Sequence, residues 1–344
     1  MTLPDISPAR SGADDVLVLH GRDSIEAFDG AIDELARRCH APVTARWAWL
    51  RASLDHDGVQ ASACLLTGYG AGLRGAAVVL HDVDEWGVRQ VRLASGGDGH
   101  RASLLAVDDD AAHALGEALV EVLAATDGPV SLHLGPLPHD DLRLEKLLAA
   151  FPGATVSTTV DVIPSVRAES RDIADYLTHG MRRTLRKSHN RLSSDGVVAA
   201  FTATRDAEEI IALLPQVAAV SRERDHAGGR ESLLDDEIGL HRWTARLTDL
   251  ARLCHLELNT LLLDGEPAAY VLGVEDGRTY RLIEGRFVMA WKRYAPGRLL
   301  EAHVLQRVLE DPDLDELDWM TSVAPESLLA ANAGTDVVTV DIAL

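Results

Sequence analysis

Residues 256–318 constrain the fold of this chain more than any other stretch. Asp264-Gly265 and Asp276-Gly277 separate three strand-like runs, and Asp-Gly between such runs is a strong hairpin signal because it supplies positive φ at low cost. A three-stranded meander is therefore expected. Beyond it, Leu299, Leu300, Val304, Leu305 and Val308 recur at helical spacing behind Pro296-Gly297, which marks a helix start, and a short strand follows.

A helix start that follows a strand and a loop offers backbone amides without intrahelical partners, backed by the positive end of the helix dipole. Here those amides are expected from Gly297, Arg298, Leu299 and Leu300, with Lys292, Arg293 and Arg298 nearby and Gly297 allowing close approach. A pyrophosphate would fit, and an ordinary capped helix with solvated charges is the competing reading.

The rest of the chain reads as two halves with the same order of elements. In the first, a strand at 16–20 and helices at 24–38 and 47–54 precede three apolar strands at 59–66, 73–80 and 88–94. Helix 110–125, strand 130–134, helix 142–150 and strand 154–163 complete it. In the second, strand 197–202 and helices 206–220 and 233–252 lead into the meander, then a helix, the short strand, a further helix and a last strand at 336–342. This predicts an α/β (α+β) protein of two like domains, each with a mixed, mostly antiparallel sheet flanked by helices. The expected boundaries are a polar tail at 1–15, domains at 16–164 and 196–344, and a basic helical linker at 165–195.

Composition narrows the function. The 344 residues, 47% of them hydrophobic, suffice for two cores, and no apolar run approaches the roughly 20 residues that span a bilayer. No signal-peptide pattern opens the chain, so no membrane partner and a cytoplasmic location are expected. A formal charge of -21 argues against a general nucleic-acid binder and requires any anion to be held locally. Cys39, Cys64 and Cys254 have neither metal nor redox spacing, and the 14 histidines form no H-E-x-x-H pattern, so no metal is expected.

The meander and helix resemble the second half of the GNAT acyltransferase fold. They are closer still to the branch of cellulose-biosynthesis-type acetyltransferases, relatives of the Fem-type aminoacyl transferases. The hairpin L-x-L-D-G-x-x-x-A of that branch is similar to residues 261–270. Its Y-x-P/S-x-G-x-L-L helix start is similar to the run from Tyr294 to Leu300, and its basic segment is similar to MRRTLRKSHNRLSSDG at 181–196. The resemblance implies tandem domains and transfer of an acyl group from acyl-coenzyme A, with acetyl-coenzyme A the expected co-substrate, to an amine of a small molecule or of a cell-surface or secondary-metabolite precursor. The usual R/Q-x-x-G-x-G/A coenzyme A pattern is reduced to Gly297, with Leu299 in its last place. That departure leaves open aminoacyl transfer from transfer RNA, and also a non-catalytic scaffold on a decayed fold.

Aminolysis of a thioester needs a proton acceptor and two substrates held in line. Period two places Tyr280, Leu282, Glu284 and Arg286 on one strand face, making Glu284 the candidate base, Tyr280 a candidate substrate contact, and an ion pair with Arg281 or Arg286 the alternative for Glu284. Asp318, at the end of the short strand, is the second catalytic candidate or a turn residue. Lys292, Arg293, Gly297, Arg298 and Leu299 are the expected donor contacts. Arg183 and Lys187, on a basic helical face with Arg182, Arg186 and Arg191, are expected to meet an anionic substrate or neighbouring carboxylates. Trp243 is either a substrate contact or a core residue. The other half has Asp108, Asp109 and Asp110 at the corresponding helix start, which repel phosphate, so the donor is expected in the second half.

Overall fold

A computed structural model describes residues 16–54, 61–68, 72–125 and 128–344. The expectations for 1–15 and for the start of the strand at Val59 lie outside the described residues. In chain order the elements are β1 (Leu17–His20), α1 (Arg22–Glu26), α2 (Asp29–Arg38), α3 (Trp47–Leu54), β2 (Ala61–Thr67), β3 (Gly75–Val83), β4 (Arg89–Leu93) and β5 (Leu105–Ala106). Then come α4 (Asp109–Ala124), β6 (Val130–Pro138), α5 (Leu142–Leu148), β7 (Thr155–Arg167), α6 (His179–Asp195), β8 (Ala199–Thr204), α7 (Ala207–Ala227) and α8 (Glu237–Leu253). The chain ends with β9 (Leu256–Leu263), β10 (Glu266–Asp276), β11 (Thr279–Phe287), α9 (Pro296–Glu310), β12 (Glu316–Asp318) and β13 (Ala333–Ala343). The sequence predicts a helix between β12 and β13, and residues 319–332 contain none.

Two compact units result, Met1–Val162 with Asp336–Leu344, and Ile163–Thr335. In the first unit β1, β2, β3 and β4 pair antiparallel in turn, β4 pairs parallel with β6, and β6 pairs antiparallel with β13. In the second, β8 to β11 pair antiparallel in turn, β11 pairs parallel with β12, and β12 pairs antiparallel with the end of β7. The pairing series is the same in both. The sixth place differs in origin: the strand read from the sequence at 336–342 as the last of the second half belongs to the first unit, and 163–167 belong to the second.

In each unit helices cover both faces of the strands. In the first unit Leu115 and Leu119 of α4 pack with Leu132, Leu134 and Val340, while Ile32, Leu35 and Leu50 cover the other side with Leu66 and Val78. In the second unit Leu300, Val304, Leu305 and Val308 of α9 pack on Leu261, Val271 and Leu282. Each such buried aliphatic side chain contributes about 1.5–3 kcal/mol. This core holds the start of α9 against the sheet.

The meander forms through the turns that its sequence specifies. Asp264 and Gly265 have φ of 53° and 85°, as a two-residue hairpin turn requires. One irregularity sets which way the β11 side chains point. Along β10, Leu272 faces Glu284 but Gly273 faces Leu282, so Ile283 is an extra residue in β11. Such a bulge breaks the alternation of faces. Tyr280 and Leu282 therefore lie on the α9 side, whereas Glu284 turns to the face covered by α7 and α8. The single face proposed for Tyr280, Leu282 and Glu284 is corrected on this ground.

Candidate active site

β12 stays beside β11 only from Thr279↔Glu316 to Arg281↔Asp318. The cause is local. Asp318 Oδ1 accepts the Met320 amide at 2.8 Å, and Met320 has a φ of 60°, so the chain turns away just past the strand. Asp318 Oδ2 accepts from Arg281 Nη1 at 2.8 Å, and Arg281 Nε donates to Asp276 at 2.7 Å. Asp318 and Arg281 are 2% and 7% exposed. Asp318 thus fixes the fork between the strands and does not reach the gap, which corrects its assignment as a catalytic group.

A cavity of about 680 Å³ occupies the gap, within the size range of ligand pockets. Leu282, Glu284 and Phe287 of β11, Gly297 of α9, and Trp319 and Thr321 past the fork line it. Basic groups concentrate there despite the acidity of the chain: Arg224, Arg230, Arg286, Lys292 and Arg298 all reach its wall. Leu299 is not among the lining residues. It is 3% exposed and packs in the core with Leu300 and Trp319, so its side chain leaves the cavity free.

Glu284 is held by three donors: Trp243 Nε1 at 2.9 Å, Ser221 Oγ at 3.3 Å, and the Tyr270 hydroxyl. The ion pair with Arg281 considered for it is not formed, since Arg281 binds Asp276 and Asp318. Burial, reinforced by the neighbouring Glu284 charge, pushes the Tyr270 phenol well above its usual range, so Tyr270 stays a proton donor to the carboxylate. An ionised carboxylate has about four acceptor positions. Three are occupied here, and one remains for an incoming N–H. Trp243 is thereby placed behind Glu284 as an orienting group. Ser221 and Tyr270 carry no sequence signal for this role, because only the bulge brings Glu284 to their face.

At the other end of the cavity α9 begins with Ala295 at φ 50° and Pro296 in its first turn. Pro296 has no N–H, and the Leu299 amide donates to Ala295 O at 3.1 Å. The sequence predicts four free amides, and the Leu299 assignment is corrected by this bond. Among the described residues no acceptor takes the amides of Gly297 and Arg298, which leaves two donors at the positive end of the helix dipole. A Cβ on Gly297 would stand 3.3 Å from Phe287 Cδ1, so the glycine keeps this corner open.

The charged candidates separate. Lys292 lines the cavity. The Arg298 side chain is bound to the Glu326 carbonyl at 2.9 Å, to the Ser327 carbonyl, and to Glu301 at 3.1 Å, so it fixes the loop that closes the cavity. Arg293 pairs with Asp195, lies 4.9 Å from the Tyr294 ring centroid, and lines a second cavity. That cavity, about 510 Å³, is bounded by Lys187, Arg191, Lys292 and Arg293 and shares Thr184, Lys292 and Ala295 with the first. Arg183 is exposed on α6 outside both. Tyr280 is fully buried elsewhere, donating to Glu257 Oε1 at 2.9 Å and accepting from Asn259 Nδ2 at 3.0 Å. Its place depends on Gly273, where a Cβ would lie 2.3 Å from the phenol oxygen. Tyr280 is thus a core residue and not a substrate contact.

Glu301 carries no signal in the sequence. It lines the cavity one turn beyond Gly297, and burial pushes its carboxyl up to about 7 against the pull of Arg298. In the first unit the corresponding helix start is closed to anions: Asp108 accepts from the Ala111 amide at 2.9 Å and pairs with Arg74 at 2.7 Å. Among the described residues no group of three or more His, Cys, Asp or Glu side chains is placed to hold a metal, and no helix is long and apolar enough to cross a membrane.

Residues 179–326 match the family model described as an acetyltransferase (GNAT) domain, a span that contains Glu284, the fork and the start of α9. No curated protein sequence matches the chain. Solved structures with a similar fold include FemX, at 10% identity over 89% of each chain with a TM-score of 0.56. L-PGS from Bacillus licheniformis matches at 11% identity over 89% of this chain and 90% of that one, with a TM-score of 0.51. A tandem GNAT protein from the clavulanic acid biosynthesis pathway matches at 15% identity over 95% and 98%, also at 0.51. At these identities the likeness shows the fold, a GNAT-like one. Activity has to be argued from the site.

Proposed function

We propose that the chain is an N-acyltransferase that moves an acyl group from an acyl-coenzyme A, acetyl-coenzyme A in the first instance, to an amine of a small molecule. One observation carries the reading: a single cavity joins the Glu284 carboxylate to the free amides of Gly297 and Arg298. The pyrophosphate lies on those amides with Lys292 beside it, and the thioester enters the gap between β11 and β12. The ammonium of the acceptor gives one proton to Glu284, and the amine nitrogen attacks the thioester carbon. The C–N bond forms, the C–S bond breaks, and the leaving thiolate takes the second amine proton. Trp243, Ser221 and Tyr270 keep the carboxylate aimed at the amine. The motif resemblance to the cellulose-biosynthesis-type branch and the GNAT match of 179–326 agree with this chemistry.

Titration calorimetry with acetyl-coenzyme A tests the proposal. Saturable binding that Gly297→Val abolishes is expected, and absence of heat at millimolar ligand removes the assignment.

A second reading has its own support. Arg183, Arg186 and Lys187 of α6 are exposed, and among the described residues no carboxylate forms an ion pair with them; Arg182 and Arg191 donate only to backbone carbonyls, of Ala174 and Arg293. The lack of such pairs among the described residues favours an anionic ligand over neighbouring carboxylates at this face. A polyanionic donor such as an aminoacyl-transfer RNA would engage such a ridge. Its affinity for the protein would fall linearly with the logarithm of salt concentration, and Arg183→Ala with Lys187→Ala would reduce the slope.

A further inference from the structure

The wall of the reaction cavity carries more positive charge than a donor at Gly297 uses. Of its arginines, Arg298 is bound to Glu301 and to two carbonyls, and the exposed Arg230 pairs with Asp225 at 3.0 Å. Arg224 and Arg286 differ. Among the described residues neither forms an ion pair, although the chain has 54 acidic side chains against 33 basic ones. Arg286 Nη1 donates to the Gly285 carbonyl at 3.0 Å, and its Nε is buried without a hydrogen-bond partner. Of the described side chains with such an orphaned buried atom, Arg286 alone lines this cavity. A buried N–H left unpaired costs stability, so its place at a cavity wall calls for an acceptor from outside the chain. The Arg224 guanidinium lies 5.0 Å from the centroid of the Phe287 ring, a cation–π contact that occupies the face of the group and leaves its N–H edge open.

Both arginines are placed by the elements that place Glu284. Glu284, Gly285 and Arg286 pair in regular register with Leu272, Val271 and Tyr270, so Glu284 and Arg286 share a strand face with Cα atoms about 6.6 Å apart. On α7, Arg224 stands one turn beyond Ser221, which bonds Glu284 at 3.3 Å. Glu284, Arg224 and Arg286 all line the one cavity. Glu284 takes its bonds from the uncharged donors Trp243, Ser221 and Tyr270 and from neither arginine. A proton acceptor for an amine thus stands beside two guanidinium groups whose charge no described carboxylate takes up.

We infer that Arg286 and Arg224 hold an acidic group of the acceptor, so that the substrate is an amine carrying a carboxylate or phosphate a few bonds from its nitrogen, an amino acid being the simplest case. The inference rests on the transferase reading for the role of Glu284. The two opposite charges of such a molecule match the two parts of this patch, with the ammonium on Glu284 and the anion on the guanidinium groups. The planar fork of an arginine takes two oxygens of one acid. A plain alkylamine leaves the Arg286 Nε unpaired, and a site built to bond a group discriminates against the analogue that lacks it.

Calorimetry on the full chain with 3-aminopropanoate and phosphoethanolamine, against 3-aminopropanamide and ethanolamine, which lack the acid, provides the test. At least one acid is expected to bind about tenfold or more tighter than its uncharged counterpart, and the larger of the two ratios tells carboxylate from phosphate. Arg286→Met removes the charge and keeps most of the stem, and Arg224→Met does the same on α7. In either variant, shown to be folded by its thermal melt, the ratio should fall to about threefold or less. Equal binding of acid and counterpart by the wild type, or an unchanged ratio in both variants, overturns the inference. So does a loss of acetyl-coenzyme A affinity in both variants that matches their loss of acid affinity, because the arginines would then hold a donor phosphate. Titration of the wild type with acetyl-coenzyme A separates the two claims. Selective binding of the acids without donor binding refutes the transferase reading alone, and donor binding with equal affinity for acid and counterpart refutes the acceptor assignment alone.

Discussion

Replacing Glu284 by Gln keeps the shape of the side chain and removes its charge and half of its acceptor capacity. The geometry fixes how the variant must settle. Trp243 Nε1 at 2.9 Å can only donate, so the amide oxygen has to face it. The new NH2 group then meets Tyr270 and Ser221, whose hydroxyls can turn and accept. Three bonds to a charged acceptor, each worth about 2 kcal/mol, become neutral bonds worth about 1 kcal/mol, a loss of ~2–3 kcal/mol. Activity should suffer more. Removing the proton acceptor for the amine costs about 10²–10⁴ in kcat, while acetyl-coenzyme A affinity stays, because the donor amides are at the other end of the cavity. Thiol release at saturating acetyl-coenzyme A, paired with thermal unfolding of the same samples, measures both. A folded Glu284→Gln protein that turns over within threefold of wild type would refute the assignment of Glu284 as base.

Asp318→Asn tests the corrected role of that residue. Arg281 would remain buried with its pairing broken on one side, so a stability loss of about 3 kcal/mol is expected in denaturant unfolding; an unchanged midpoint would contradict a structural role. Glu301, held at about 7 where 4.5 is usual, makes a pH prediction. Between those two values the folded state keeps a proton that the unfolded state has lost, so stability falls as pH rises through this window, by up to about 3 kcal/mol, and Glu301→Gln should flatten the profile. The same ionisation places a negative charge beside the Gly297 amides, so acetyl-coenzyme A should bind more weakly above pH 7 in the wild type and independently of pH in Glu301→Gln. Glu257 gives the opposite limb. Burial opposes its ionisation, but bonds from Arg307 and Arg205 prevail and hold it at about 2. Its stabilisation is present above 4.5 and lost as pH falls toward 2, and Glu257→Gln should remove that acid dependence in thermal melts.

The parts of the molecule that local chemistry dictates are legible in the sequence. Asp264-Gly265 specifies a hairpin because few other pairs accept two positive φ values, and Pro296 with the apolar spacing behind it specifies the start of α9. Arrangement set by distant partners is not legible. Nothing in residues 280–286 marks Ile283 as an extra residue, since a bulge depends on how β10 and β11 pair, and the face of Glu284 changes with it. Likewise 336–342 reads as an ordinary alternating strand, and its assignment to the first unit is decided by pairing with β6, some 200 residues earlier. Asp318 has the right residue type for catalysis, but a carboxylate that binds a buried arginine and an amide two residues on has no sequence signature separating it from an acid at a cleft.

Whether one ligand spans from Gly297 to Glu284 can be seen in a crystal structure of the chain with acetyl-coenzyme A. Pyrophosphate oxygens are expected within about 3 Å of the Gly297 and Arg298 amides, and the thioester carbon in the gap past the Arg281–Asp318 pair, facing the Glu284 carboxylate. A pyrophosphate bound elsewhere, with those two amides free and the gap empty, would contradict it.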